Sequence, residues 1–233
     1  MLAEETPDIA WVSSLTGASV ARAHRLVLEA AKETALFRHI AREHRKGGRS
    51  FYVEIEAPLE LYAMTRLLRP RHIVEVGVSS GVSSAYFLKA LERNGSGTLH
   101  SVDLPKPERK PRRPRTRDYG SWAIPSGRSS GWAVPSSLKK RWDLRIGNKS
   151  EVLPLFGEEI DRIDLFLYDV PHSDPGAFSE FSSIDRRFPS GAVALADHGG
   201  TENLCPSLRR WADHRETAAS GRKGLGLYGF RFP

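Results

Sequence analysis

Two short apolar runs in the C-terminal half each end in an aspartate: Asp169 closes IDLFLYD and Asp197 closes GAVALAD. If the runs are neighbouring strands, about 4.8 Å apart, both carboxylates enter one crevice. Two acids that close repel each other unless a proton or a cation lies between them, and a divalent cation is the economical answer. His198 follows Asp197 directly and is a candidate third ligand; Asn203 is a weaker one. A histidine makes the set less hard, so manganese, iron and zinc compete with magnesium, and a site without metal stays open. His172 lies just beyond Asp169, in DVPHS. An imidazole titrating at about 6.5 suits a general base that takes a proton from a hydroxyl. A metal-bound hydroxyl would also lose its proton more easily. The alternative is that Asp169 and Asp197 cap the following helices and that His198 is a solvated turn residue.

A second chemical segment is VEVGVSSGVSS, Val74 to Ser84. It has the pattern of a strand, a small-residue turn and a helix, and ligands of open α/β sheets bind at such strand ends. Gly77 and Gly81 let the backbone turn tightly and approach a ligand. Ser79 and Ser80 supply small donors between them. A dinucleotide fingerprint would need G-x-G-x-x-G, and here Ser79 and Ser84 stand where glycines belong. Glu75, inside the strand end, would repel a diphosphate but suits a cationic ligand such as a sulfonium nucleoside. Asp103 ends the next strand, where a carboxylate can accept both ribose hydroxyls. A generic strand–helix turn with incidental acids is the competing explanation.

The elements that must position these groups follow from periodicity. Ser19 to Arg45 is expected to be one long amphipathic helix ended by Gly47 and Gly48. A second helix starts at Pro58 and stops at Pro70. Strands are expected at His72–Gly77, Thr98–Asp103, Asp143–Gly147, Ile163–Asp169 and Gly191–Asp197. Helices are expected at Val82–Arg93, from about Pro175 to Arg187, and near Asn203–His214. The tail GLGLYGFRF reads as a last strand, half of a hairpin. Alternating strands and helices mean a mostly parallel, doubly wound α/β sheet. No internal repeat is expected. Residues 104–140 are too long for an ordinary connection and read as a mobile loop or a lid.

The chain resembles class I S-adenosylmethionine-dependent methyltransferases, and more narrowly the O-methyltransferase family that includes macrolide-sugar and cephamycin-pathway enzymes. EVGVSSGVSS, SVD, WDLRIGNKSEVLP, IDLFLYDVPHS and GAVALADHGG carry the resemblance, in order, from Leu59 to Gly200. It implies a Rossmann-like seven-stranded sheet with the last strand antiparallel. It implies cofactor contacts from Glu75, Gly77, Ser79, Gly81 and Asp103, with Asn148, Lys149 and Ser150 beside the adenine. It implies magnesium on Asp169 and on the residues after strand five, and His172 as base. The family commonly has two acids after that strand, whereas this chain has Asp197-His198. The expected division is a helical segment over 1–57 and a methyltransferase domain over 58–233.

The remaining features bound the partners. The 233-residue chain has a net charge of +7, and seven basic against two acidic side chains fall between Pro105 and Asp118. The basic excess is thus a property of one loop. It would suit an acidic or sugar-phosphate small molecule, or, with Trp122 and Trp132 as stacking platforms, a nucleic acid; a solvated loop without partner is the plain alternative. The expected function is O-methylation of a small-molecule hydroxyl, metal-assisted. The alternatives are an RNA-directed methyltransferase and a non-catalytic cofactor-binding protein. No run approaches the roughly 18 apolar residues of a membrane span. The N-terminal residues lack a hydrophobic signal core, and the lone Cys205 excludes an internal disulfide, so a cytoplasmic location is expected. The helices before Pro70 offer an apolar face for a homo-oligomer. Cys205, beside Pro206, is expected to be structural.

Overall fold

The computed structural model describes residues 6–46, 57–104, 124, 127–170, 177–197, 206–217, 219–222 and 227–233. Four helices come first: α1 (Ile9–Thr16), α2 (Val20–Ala31), α3 (Thr34–Lys46) and α4 (Pro58–Leu68). Then follow β1 (His72–Val76), α5 (Val82–Asn94), β2 (Thr98–Asp103), a 3-10 helix (Ser136–Arg141), β3 (Trp142–Ile146) and α6 (Lys149–Glu159). The chain continues through β4 (Leu165–Tyr168), α7 (Ala177–Ile184), β5 (Val193–Asp197), α8 (Pro206–His214), β6 (Ala219–Gly221) and β7 (Leu227–Arg231).

The strands form one seven-stranded sheet in the order β3-β2-β1-β4-β5-β7-β6. All neighbours are parallel except β7, which runs antiparallel to both β5 and β6. Strand order reverses on either side of β1, so the carboxyl ends of β1 and β4 open the crevice where such sheets take ligands. The central strands β1, β4 and β5 are buried on both faces, as helices on each side require. One face packs Ile73, Leu165, Leu167 and Val193 under α1–α5. The other packs Val74, Val76, Phe166, Tyr168 and Ala194 under α6–α8.

The expected single helix from Ser19 to Arg45 is two helices. Ala23, Val27 and Ala30 are the buried residues of α2, and Leu36, Ile40 and His44 those of α3. The step from Ala30 to Leu36 is one residue short of the seven that a continuous stripe needs. An unbroken helix would turn the second half roughly 100° off the core. Glu33, at the break, is held by Arg93 of α5 at 2.6 Å. Helix α1 was not expected, although Asp8 caps its first turn through Trp11 N–H at 2.9 Å and Gly17 closes it at φ 69°. It packs on the sheet, with the Trp11 indole donating to the Ser220 carbonyl. Helix α6 was also missed, because Pro154 interrupts its pattern from inside.

The 104–140 stretch needs correction at its C-terminal end. Gly127–Val134 packs against the rest of the molecule, and Ser136–Arg141 is helical. Trp132–Ser136 (WAVPS) also nearly repeats Trp122–Ser126 (WAIPS), which corrects the expectation of no internal repeat. Among the described residues, no helix is long and apolar enough to cross a membrane.

Candidate active site at the carboxyl ends of the strands

The turn after β1 is shaped by its glycines. Gly77 has φ +91°, and a Cβ there would overlap the Asp169 carbonyl oxygen. Only glycine lets the chain leaving β1 pass so close to the chain leaving β4. Gly81 has φ +89°, caps α5, and faces Val134 and Gly131 closely enough that a Cβ would collide. Ser79 is left-handed, at φ 49°. A tight turn is closed by Gly81 N–H on the Val78 carbonyl at 2.8 Å. The turn therefore presents backbone and small side chains at the N-terminus of α5, as a cradle for a ligand must.

Glu75 lies beneath this turn and is fully buried. Its carboxylate accepts hydrogen bonds from Ser83 and Ser84, both at 2.6 Å, and from Ser101 at 2.7 Å. Ser101 in turn receives the Trp142 indole N–H at 2.9 Å. Burial pushes the Glu75 carboxyl up to about 6, against the pull of the three hydroxyls. The acid thus fastens β1 to the first turn of α5 and to β2 from inside the protein.

Asp103 ends β2 beside the turn. One carboxylate oxygen accepts Val78 N–H at 3.3 Å, and the other accepts the Ser130 hydroxyl. The segment carrying Ser130 is bound along the turn, with Gly131 N–H on the Ser79 carbonyl at 2.8 Å and Ala133 N–H on the Ser80 carbonyl at 2.9 Å.

Residues 148–150 open α6. Asn148 is its N-cap and accepts Ser150 N–H at 3.1 Å. The Lys149 ammonium donates to the Tyr168 hydroxyl at 2.7 Å and to Glu180. Ser150 and Tyr168 also donate to Glu180, at 2.7 and 2.6 Å. Burial raises the Glu180 carboxyl, but the bonds from Lys149, Tyr168 and Ser150 outweigh it and hold it below the usual range. Glu180 was not singled out from the sequence. It sits in α7 without a motif, and only its place opposite the start of α6 reveals it.

Asp169 and Asp197 are brought side by side. The last paired residues of β4 and β5 are Tyr168 and Ala196; Asp169 is the first residue past β4, and Asp197 is the last residue of β5. Asp169 N–H is bonded to the Val76 carbonyl at 2.8 Å, which places it beside the glycine turn. His172, His198, Asn203, Cys205, Trp122 and the basic stretch from Pro105 to Asp118 lie outside the described residues. Among the described residues, no group of three or more histidine, cysteine, aspartate or glutamate side chains is arranged to hold a metal.

The comparisons with known proteins agree with this geometry. The family model of the methyltransferase domain matches residues 74–198, just over half of the chain. Among solved structures, the O-methyltransferase TomG from Streptomyces achromogenes, involved in tomaymycin synthesis and solved with SAM, is 19% identical, with TM-score 0.54 over 85% of this chain and 90% of that one. A methyltransferase from Geobacter sulfurreducens is 16% identical, with TM-score 0.54 over 85% and 89%. An O-methyltransferase from Bacillus cereus, solved with SAH, is 14% identical, with TM-score 0.51 over 95% and 96%. No curated protein matches by sequence. The matched segment runs from the strand before the glycine turn to the residue after Asp197. The chain therefore belongs to the methyltransferase-domain family and has the class I S-adenosylmethionine-dependent methyltransferase fold.

Proposed function

We propose that the chain transfers a methyl group from S-adenosylmethionine to a hydroxyl oxygen of a small molecule. The observation that carries this reading is the junction of four strand ends. The glycine turn after β1, the Asp103 carboxylate at the end of β2, and the Asp169–Asp197 pair meet at the point where strand order reverses. The residues present suit the donor, because Gly77 and Gly81 let the turn pass tightly between β4 and the Gly131–Val134 segment, and the Asp103 carboxylate beside the turn can take ribose hydroxyls. When bound, the donor supplies a methyl group already activated by its sulfonium charge.

The chain's own residues align and discharge. Asp103 would receive the ribose hydroxyls, and the negative charge of Glu75 beneath the turn would favour a cationic donor. Asn148, Lys149 and Ser150 stand at the start of α6, on the adenine side. Asp169 and Asp197 are two hard oxygen donors on adjacent strands and fit a divalent cation, with His198 as the third ligand. His172, beyond Asp169, takes the proton of the acceptor hydroxyl. A small acceptor accords with TomG, which serves tomaymycin synthesis.

Titration calorimetry with S-adenosylmethionine tests the donor site. Micromolar binding that Asp103→Ala weakens at least tenfold is expected, and no binding under any condition would end the reading. Product formation from labelled donor over panels of sugars, phenols and RNA then identifies the acceptor. A preference for RNA would replace the small-molecule assignment.

A further inference from the structure

The segment Gly127–Val134 is held on two sides. Towards the sheet, Ser130 donates to Asp103, while Gly131 and Ala133 bond the carbonyls of Ser79 and Ser80. Towards the N-terminal helices, Arg128 pairs with Glu43 of α3 at 3.3 Å and lies over the Trp132 ring at 5.4 Å. Trp132 packs on the buried His44 ring at 4.8 Å. Gly131, at φ +68°, makes the turn possible, since a Cβ there would strike the Trp142 ring. Trp142 in turn reaches Glu75 through Ser101.

We propose that this segment is a clasp on the donor site, and that Ser130 is a positioning residue which fixes Asp103 for the donor's ribose. The proposal rests on the reading of this site as one for S-adenosylmethionine. A carboxylate at a strand end can rotate about two bonds, and each rotamer offers its oxygens to a different place. Val78 N–H on one oxygen and the Ser130 hydroxyl on the other leave one orientation. A carboxylate has about four acceptor positions, so two remain for two ribose hydroxyls. Ser130 is 3% exposed, and its single proton is spent on Asp103. Arg128 and Trp132 then keep Ser130 in place by anchoring the clasp on α3.

The probes are S-adenosylhomocysteine and its 2′,3′-dideoxy analogue, titrated calorimetrically into the full-length protein. Ser130→Ala should weaken the parent ligand about tenfold, the loss expected for one hydrogen bond to a charged group. It should leave the dideoxy analogue unchanged, and it should add nothing in an Asp103→Asn background. Arg128→Ala, on a partly exposed side chain far from the carboxylate, should act in the same direction and with the same selectivity, by about threefold. That variant keeps the test open if Ser130→Ala melts early. Unchanged or tighter binding by Ser130→Ala would overturn the proposal, since a tighter complex means that Ser130 competes with the ribose. Equal losses for both ligands would also overturn it, as general loosening. Failure of the unaltered protein to bind S-adenosylhomocysteine would instead remove the donor-site reading, and the clasp with it.

Discussion

Replacing Glu75 by glutamine removes one buried negative charge and keeps the shape of the side chain. In the fold this carboxyl titrates at about 6, against 4.5 for an ordinary glutamate. A raised carboxyl pKa means that the native state holds its proton more tightly than the unfolded chain. Its stabilising contribution is fully present below pH 4.5 and is lost as the pH rises through 6. The shift corresponds to about 2 kcal/mol of native-state destabilisation at neutral pH. Glutamine carries no charge at any pH, and the serine hydroxyls can rotate to meet its amide. The stability of Glu75→Gln relative to the unaltered protein should therefore increase by about 2 kcal/mol between pH 4.5 and 7.5, or roughly 4–8 °C in melting temperature. Calorimetric melting at a series of pH values reads this directly. The same variant should bind S-adenosylmethionine more weakly than the original at pH 7.5, because the donor's positive end loses a charge beneath the turn. A stability difference that is flat across the pH range would refute the assignment of a buried, strained charge.

Other expectations follow from neighbouring contacts. Gly77→Ala should abolish donor binding and cost more than about 1 kcal/mol, because φ +91° and the Asp169 carbonyl both exclude a methyl group; calorimetry and melting check both effects. Arg222→Ala leaves Glu60 as an unpaired charge, both side chains being almost fully buried at 2.9 Å, and should cost about 3–5 kcal/mol in chemical denaturation. Trp211→Ala empties the centre of an aromatic cluster with Phe181, Phe230 and Phe232 and should cost a similar amount. If Asp169 and Asp197 hold a cation, EDTA should suppress turnover and an added divalent metal should restore it; turnover indifferent to chelation would remove the metal from the proposal.

Short-range information was enough for much of the fold. The strand–turn–helix at Val74 to Ser84 could be read because its small residues are contiguous, and a positive φ at Gly77 follows from the turn itself. That Asp169 and Asp197 could share a crevice was readable only on condition that their strands are neighbours, and the parallel pairing of β4 with β5 meets that condition. Local pattern failed where two signals overlapped. The phase slip between Ala30 and Leu36 was hidden because AAKETAL carries no glycine or proline to mark a helix end, and Pro154 masked a helix that it only interrupts.

What the tertiary structure alone decided concerns the partners of each acid. The sequence by itself placed Glu75, Asp103 and the glycines at strand ends, because strand periodicity and turn chemistry act over a few residues. It carried no sign that Glu75 would be held by Ser83, Ser84 and Ser101, that Ser130 would reach Asp103, or that Glu180 would gather Lys149, Ser150 and Tyr168. Most of those bonds join residues far apart in the chain, and hydroxyl groups of serine have no pattern that announces a distant carboxylate. Only packing the helices onto the sheet brings them within reach, and burial then makes each bond obligatory.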